Sequence, residues 1–316
     1  MAIIANTFQR YQAIGIREEL AELISNIAPT ETPFQSNAGK CKVSNTLFEW
    51  QLDTLAATAA NAQIEGDDVG STFEAVVPTV RVGNYTQISR KTVIIAGTEE
   101  VINKAGRKSE LAYQLVKKGQ ELKRDMEAIF LANTAAAVGA TGTARTTGSL
   151  LAFIKTNVDK AGDGTNPVYA SIPVVRVDGT LRNNSETILK NVIQLAWSAG
   201  ASPSTVMVGA LQKQAISQFA GIATKFKDVG SGQATITGAA DVYVSDFGTV
   251  QVVPNRFQRA RDMFVLDFDY IEIATLRPLA KVELAKTGDA EKRMLIVEYG
   301  LKVKNEAALG LAADVQ

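Results

Sequence analysis

The sequence predicts an α+β fold, in which helices and antiparallel strands occupy separate stretches of the chain instead of alternating. Two observations support this class. Apolar residues between Ser109 and Asn133 recur at the spacing of one helical face, and about the last sixty residues contain several strand-like runs. The length of 316 residues allows one or two sizeable cores and suggests about two domains.

The first part of the chain is predicted to form an arm, a strand and a loop. A helix over Ile16–Ile27 is followed by an extended segment that reaches Cys41. Thr46–Asp53 is aromatic and predicts a strand, whereas Thr54–Ser71 has little to bury and is expected to project as a loop. Gly83–Asn84 then separates two strand-like runs and predicts a turn between them.

The clearest helix is predicted over Ser109–Asn133, with Ser109 as its N-cap. Gly119, in its middle, should cost about 1 kcal/mol relative to alanine. The helix should therefore be bent there or packed too closely for a larger residue. Its predicted core face consists of five apolar residues at helical spacing: Leu111, Leu115, Leu122, Met126 and Ile129.

The remaining stretches predict further short elements. Thr134–Gly148 should be a loop, Asn184–Ala199 a second amphipathic helix, and Leu211–Phe219 a third helix. The second helix is predicted to bury Ile188, Val192, Leu195 and Ala196. The predicted strands are Val174–Val177, Ser204–Val208, a pair over Asp241–Val253 around Gly248, and four runs from Phe264 onwards.

Composition excludes most catalytic classes. Without histidine, Ser-His-Asp and Cys-His arrangements and histidine-ligated metals are impossible. The single cysteine, Cys41, allows no internal disulfide or thiolate cluster, which fits a reducing compartment. Gly162–Gly164 with Asp159 lacks the ligands of a calcium loop, and Gly39–Lys40 lacks the pattern of a phosphate-binding loop. We therefore expect no catalytic, cofactor-binding or metal-binding residues.

The overall charge is balanced, with 33 basic and 33 acidic residues, so no net field attracts DNA or a membrane. The amino terminus, MAIIANTFQRYQ, has no basic region before its short apolar run and is not expected to be a signal peptide. The charge-free stretch Asn191–Gln212 contains Gly200 and Pro203, which predict helix, turn and strand rather than a membrane span.

Charge is distributed unevenly along the chain. Val43–Val80 contains six acids and no base, whereas Lys104–Arg124 contains seven bases and two acids. Two interpretations are open: two solvated faces whose charges cancel by accident, or an acidic projecting loop that lands on the basic helix of a neighbouring copy. The second makes the following residues candidates for contacts between subunits: Glu65, Asp67, Asp68, Arg107, Lys108, Lys117, Lys118, Lys123 and Arg124.

Several blocks resemble those of one protein group. They are Ala28–Phe34 (APTETPF), Phe48–Asp53 (FEWQLD), Asn84–Ile88 (NYTQI), Ala105–Gln114 (AGRKSELAYQ), Glu121–Ala128 (ELKRDMEA), Leu276–Leu279 (LRPL) and Leu284–Gly310 (LAKTGDAEKRMLIVEYGLKVKNEAALG). In this order they resemble the major capsid proteins of tailed double-stranded-DNA bacteriophages, which have the Hong Kong 97-type fold. Together the blocks span nearly the whole chain.

This resemblance implies a division of the chain and a structural role. Residues 1–45 would form an N-terminal arm, 46–95 an extended loop, and 181–255 an axial domain. Residues 96–180 and 256–316 would form a peripheral domain around a spine helix at about 109–133. Such subunits self-assemble into the hexamers and pentamers of an icosahedral shell, which encloses the phage genome.

The resemblance also implies partners and a location. A scaffolding protein, a portal and decoration proteins are expected, with DNA held by confinement, no membrane, assembly in the bacterial cytoplasm and residence in the virion. Some shells of this fold form an isopeptide bond from a loop lysine. Because no lysine occurs from Val43 to Arg90, we expect non-covalent contacts here.

Two alternatives remain open on sequence alone. An encapsulin-like nanocompartment shell has the same fold and would be distinguished by a cargo enzyme encoded nearby. An enzyme on an α+β scaffold would have to work without histidine, which leaves Asp, Glu, Lys or Tyr for acid–base chemistry. Electron microscopy distinguishes shells from a discrete monomer or dimer.

Overall fold

A computed structural model describes residues 31–66, 76–102, 108–219 and 241–316. The predicted helix over Ile16–Ile27 lies outside these residues. The helices are α1 (Pro33–Asn37), α2 (Gly97–Val101), α3 (Glu110–Leu131), α4 (Leu150–Phe153), α5 (Glu186–Ser198) and α6 (Ala210–Ser217). The strands are β1 (Gly39–Lys42), β2 (Leu47–Leu52), β3 (Val80–Tyr85), β4 (Gln87–Ala96), β5 (Val158–Asp159), β6 (Thr205–Val208), β7 (Val242–Ser245), β8 (Gly248–Pro254), β9 (Asp262–Leu266), β10 (Ile271–Glu283), β11 (Ala290–Val303) and β12 (Gly310–Ala313).

A four-stranded sheet in the order β1-β10-β11-β4 carries the long helix α3. The hairpin of β10 and β11 is antiparallel, and β1 joins its outer edge as a parallel strand. Helix α3 packs across β4 and β11, where Leu122 and Phe130 are buried with Tyr299 of β11. The rings of Phe130 and Tyr299 are arranged edge to face, with their centroids 5.3 Å apart.

A second, six-stranded sheet has the order β5-β12-β9-β6-β8-β7. Its central strands are apolar on both faces, as expected for strands covered on each side. In β9, Met263 and Val265 face α5, while Phe264 and Leu266 join the core that includes α3. The sheet therefore lies between two packed layers, and alternate residues of a single strand contribute to each layer.

The sequence predicted most elements of this α+β fold, but three predictions are wrong. Gly83–Asn84 is not a turn, because both residues lie inside β3 and pair with β2. Val174–Val177 is not a strand, since only an isolated bridge joins Val177 to Thr165. Leu195 of α5 is 41% exposed, and Leu189 and Ile193 are buried instead on that helix.

Gly119 does not mark close packing. A methyl group added there would meet only Leu295 Cδ1, at 3.9 Å, which is an ordinary van der Waals distance. Within the described residues, no helix combines the length and hydropathy needed to cross a membrane.

Candidate functional site

Strands β2 and β3 form a two-stranded ribbon whose described connecting residues are exposed. Strands β2 and β3 pair from Leu47–Tyr85 to Leu52–Val80, and residues 53–79 connect their far ends. The described part of this connection, 53–66 and 76–79, is exposed throughout and has no helix or strand. Glu65 lies in it, whereas Asp67 and Asp68 lie outside the described residues.

The base of this ribbon is rigidly fixed. The Trp50 ring stacks on Phe48, with centroids 6.0 Å apart, and its indole N–H donates to the Lys304 carbonyl at 3.2 Å. Buried Asn84 donates to the Leu301 carbonyl at 2.6 Å and accepts from the Gly148 N–H at 2.8 Å. The two strands that carry the loop are therefore anchored to the rest of the subunit.

Gly83–Asn84 thus serves packing rather than a turn. A Cβ at Gly83 would lie 2.7 Å from Glu49 Cγ and 3.1 Å from the Phe48 carbonyl oxygen, both on the paired strand. Only glycine allows the strands to approach this closely. The adjacent Asn84 is buried because its amide links three segments by hydrogen bonds.

The long helix α3 begins as predicted, at Ser109. Its hydroxyl accepts from the Ala112 N–H at 3.1 Å, and the carboxylate of Glu100 accepts from the N–H groups of Glu110 and Leu111, each at 3.1 Å. These contacts satisfy donors in the first turn, and the negative charge lies at the positive end of the helix dipole.

The five residues of the predicted core face of α3 differ in how deeply they are buried. Leu122 is 1% exposed, and Leu115 and Met126 pack against the core while remaining partly exposed. Leu111 and Ile129 are half-buried. The fully buried apolar residues near the end of the helix are instead Phe130 and Leu131, so the inward face is rotated relative to the predicted one.

The basic candidates on α3 differ in availability. Lys108, Lys117 and Lys123 are exposed. Lys118 pairs with Glu121 at 2.7 Å, and its hydrogen bond lowers the pKa of that carboxyl. The Arg124 guanidinium lies 5.4 Å from the centre of the Phe257 ring. Arg107 lies outside the described residues.

A surface groove of about 500 Å³ lies between α2, α3 and β4. Ile94, at 65% exposed, lines it together with Glu99 and Lys118. The groove therefore combines an exposed apolar side chain with a basic one.

One buried glutamate connects three parts of the chain. Glu127 of α3 is fully buried and accepts from the backbone N–H groups of Phe34, at 2.8 Å, and Gln35, at 3.1 Å. It also accepts from the Asn255 side chain at 2.7 Å. The spine helix is thereby tied to the start of α1 and the segment after β8. A helical glutamate normally indicates a solvated position, so the sequence did not predict this contact.

A second buried polar feature is a cluster of charged side chains. Arg176 and Asp314 are both fully buried and pair at 3.0 Å, and Arg261 reaches the same carboxylate at 2.9 Å. Asp262 lies between Arg176, at 3.8 Å, and Arg259, at 3.4 Å. The cluster joins three separated parts of the chain, around positions 176, 259–262 and 314, and no local pattern predicts that they meet.

The cluster also contains Asp178, which pairs with Arg176 at 3.0 Å. The other two carboxyls, Asp262 and Asp314, have opposite pKa shifts. Burial raises the pKa of Asp262 to about 6, because the nearby guanidiniums only partly compensate for desolvation. Burial would also raise the pKa of Asp314, but hydrogen bonds from Arg176 and the Gly179 N–H outweigh it and lower that pKa.

The described residues offer little for catalysis. None of them forms a group of three or more His, Cys, Asp or Glu side chains suited to a metal ion. Burial raises the pKa of the Cys41 thiol, which disfavours its nucleophilic thiolate form. The distinctive features of the described residues are the groove beside α3, the buried Glu127 and the buried charge cluster.

Comparison with known proteins identifies relatives along the whole chain. The family model described as "SU10 major capsid protein" matches residues 3–316. The major capsid protein of Escherichia phage Phieco32 is 28% identical over 346 residues, covering 96% of each chain.

Solved structures of similar fold are also capsids. The Cyanophage A-1(L) capsid asymmetric unit matches with a TM-score of 0.64 and 12% identity, over 97% of this chain and 98% of the other. A structure of phage G gp27 major capsid proteins and gp26 decoration proteins matches with a TM-score of 0.53 and 12% identity, over 100% of both chains. At such identities, the likeness shows a shared fold of the Hong Kong 97 type.

Proposed function

The chain belongs to the SU10 major capsid protein family, and from this premise we propose that its projecting loop joins neighbouring subunits of the shell. The protein is the structural subunit of a tailed-phage icosahedral capsid and resides in the virion. Its arrangement as hexamers and pentamers is part of the proposal.

The observation that carries this proposal is the exposed apolar content of the loop between β2 and β3. Leu55 is 98% exposed, Ile64 81% and Val76 92%. Single exposed apolar residues are common on protein surfaces, but a projecting segment that carries several of them indicates an interaction site. A neighbouring copy would bury these side chains and keep them from water.

The receiving surface that fits best is the groove between α2, α3 and β4. It offers Ile94 for apolar contact, and the exposed amines of Lys117 and Lys108 lie on the same helix or just before it. Glu65 on the loop has the complementary charge. Such pairs at the edge of an interface favour correct orientation more than they add affinity.

The division into domains remains part of the proposal. Helix α3 and strands β10 and β11 fall within the proposed peripheral domain, and α5 to β8 within the axial domain at 181–255. The other two strands of the four-stranded sheet fall elsewhere, with β1 in the proposed arm and β4 almost wholly in the proposed loop range 46–95. Strand β6 pairs with β8 on one side and β9 on the other, so one sheet crosses the proposed boundary. The two domains would therefore move as parts of one framework rather than as independent units.

The proposed partners are other copies of the chain, a scaffolding protein, a portal and decoration proteins. The phage G structure, which contains gp26 decoration proteins, supports the last of these for a capsid of similar fold. Packaged DNA would be held by confinement, consistent with the balanced charge of the chain. We propose no catalytic role and no cofactor.

The alternatives are less well supported. The family match is to a phage major capsid protein, which does not favour an encapsulin-like compartment. A histidine-free enzyme would need a positioned acid–base pair in a cleft, and nothing described above supplies one.

Electron microscopy of the purified protein tests the function. We expect closed shells or ring-shaped capsomers, with a corresponding large mass by light scattering. A discrete monomer or dimer across conditions that include a scaffolding protein would contradict the proposal.

A further inference from the structure

An aromatic pair protrudes from the region between α5 and the β7–β8 turn. Trp197 is 53% exposed and Phe247 39% exposed, and their ring centroids are 5.0 Å apart. We call this pair the aromatic knob. Trp197 lies outside the buried face of α5. A large aromatic residue at a solvent-facing position of a helix is the sequence signal that could have indicated the knob.

The knob is held in place before any partner binds. In the β7–β8 turn, the Ser245 hydroxyl donates to the Gly248 carbonyl at 2.8 Å and accepts from the Phe247 N–H at 3.3 Å. Gly248 has a φ of 135°, which favours glycine at that position. A pre-ordered aromatic pair loses little conformational entropy on binding, and tryptophan is enriched among the residues that dominate interface energies.

A groove lies on another side of the same helix. It has a volume of about 550 Å³ and is lined by residues of β5, the position after it, and one face of α5: Val158, Asp159, Lys160, Asn191, Gln194, Leu195 and Ser198. We call it the α5 groove. Asp159 is fixed at its edge by Arg182, at 2.5 Å, and Asn191, at 3.2 Å. The exposed Leu195 supplies an apolar surface.

The knob and the groove point in different directions. At about 100° per residue, Trp197 lies roughly 110° around α5 from the mean direction of Asn191, Gln194, Leu195 and Ser198. A subunit therefore presents the two features on different sides. A head-to-tail contact requires two different patches, and repetition of such a contact gives a ring if the rotation closes and an open filament if it does not. Icosahedral shells contain such rings at their five-fold axes.

The charges around the two features are complementary. Asp246 directly precedes Phe247 and gives the knob one negative charge. Along the groove lie two bases, Lys160 and Arg182, and one acid, for a local charge of +1. This arrangement favours knob-to-groove contact and disfavours contact between two knobs.

We propose that the aromatic knob of one subunit packs into the α5 groove of the next subunit around each capsomer ring. This inference rests on the proposed function, because it assumes that the copies form rings. It assigns the occupant of the groove as a second copy of this chain and makes Trp197 the residue that contributes most to the contact.

Crosslinking in assembled particles tests this arrangement. In a Cys41→Ser background, Asp246→Cys places a thiol beside the knob and Gln194→Cys places one in the groove. After treatment with a flexible bismaleimide, particles of the double variant should give a ladder of covalent oligomers up to the size of the capsomer. Each single-cysteine variant should remain monomeric, since a head-to-tail contact brings together two different positions.

The outcomes separate this inference from the proposed function. Particles that assemble but give no ladder would overturn the knob-to-groove contact and leave the capsid function standing. A dimer from Asp246→Cys alone would show knob-to-knob contact and would also overturn it. Absence of particles and capsomers from the unsubstituted protein, with a scaffolding protein present, would refute the proposed function itself.

A second pair of variants covers the case in which the cysteines prevent assembly. Trp197→Ala removes the knob, and Leu211→Ala is its control, because Leu211 is an exposed apolar residue on α6, at 60%. Both should keep the circular dichroism spectrum of the parent. Trp197→Ala should weaken capsomer association by about 30-fold, as measured by analytical ultracentrifugation, since hot-spot tryptophans have effects of this size. Equal association of the two variants would overturn the proposal.

Discussion

Asp262 and Asp314 belong to one buried charge cluster, yet replacing each by asparagine should change stability in opposite directions. No hydrogen-bond donor among the described residues reaches either carboxylate oxygen of Asp262, which is fully buried. Arg259 and Arg176 approach it only at 3.4 and 3.8 Å. Its ionised form is therefore poorly solvated, and Asp262→Asn should stabilise the subunit at neutral pH.

The size of this effect follows from the pKa. The pKa of Asp262 rises from 3.8 to about 6 on folding, which corresponds to about 3 kcal/mol at 1.36 kcal/mol per unit. The folded state binds the proton more tightly than the unfolded state, so this stabilisation is full below about pH 4 and is lost as pH rises through 6. Asparagine stays neutral, so Asp262→Asn should gain about 3 kcal/mol at pH 7.5 and about half of that at pH 5.

Asp314→Asn is the matched opposite case. The Asp314 carboxylate accepts from Arg176 at 3.0 Å, Arg261 at 2.9 Å and the Gly179 N–H at 3.0 Å. Its φ of 61° is left-handed, a conformation that asparagine also tolerates, so the substitution tests charge rather than backbone strain. Loss of one partner from a buried ion pair should cost about 3 to 5 kcal/mol at neutral pH. Because the pKa of Asp314 is lowered, its stabilising contribution disappears as pH falls through that pKa.

The assay is urea unfolding of unassembled subunits or capsomers at pH 5 and pH 7.5, followed by tryptophan fluorescence and circular dichroism at one fixed protein concentration. Fixed concentration matters because association of subunits adds to apparent stability. If Asp262→Asn destabilises the protein at pH 7.5 as Asp314→Asn does, Asp262 is an ordinary ion-pair partner and the reasoning is wrong. A stability gain that does not shrink at pH 5 would also refute it.

Three further predictions concern the spine helix, the loop and the covalent state of the shell. Leu122→Ala should lower the unfolding free energy by about 2 to 5 kcal/mol, whereas Lys123→Ala next to it should change it by less than about 0.5 kcal/mol; equal urea midpoints would contradict the buried position of Leu122. Deletion of residues 54–71 should leave the circular dichroism spectrum nearly unchanged but prevent stable shells in electron micrographs, and normal particles would refute the bridging role. Mature particles boiled in detergent should give one band near 33.8 kDa, whereas a ladder would reveal crosslinks from lysines outside the loop.

The sequence predicted those elements whose signal is local. The α3 helix was predicted from apolar spacing and its Ser109 cap, and the structure confirms both, with the helix over Glu110–Leu131. The sequence also predicted a loop over Thr54–Ser71 from its few apolar side chains, and the described part, 54–66, is exposed and has no helix or strand. Local patterns failed at Gly83–Asn84, a pair that is typical of turns. Here Gly83 allows two strands to approach closely, and Asn84 forms buried hydrogen bonds.

Composition and local pattern determined by themselves that this chain folds as α+β with a long helix, and that it has no histidine for Ser-His-Asp or histidine-ligated metal chemistry. Only the tertiary structure decided which side chains meet. Glu127 contacts Phe34 and Asn255 across 93 and 128 positions of sequence, and the aromatic knob joins a helix to a distant turn. Such contacts depend on how sheets and helices stack. Two residues that meet across a long stretch of chain produce no repeating pattern in a single sequence, so local spacing cannot predict the contact.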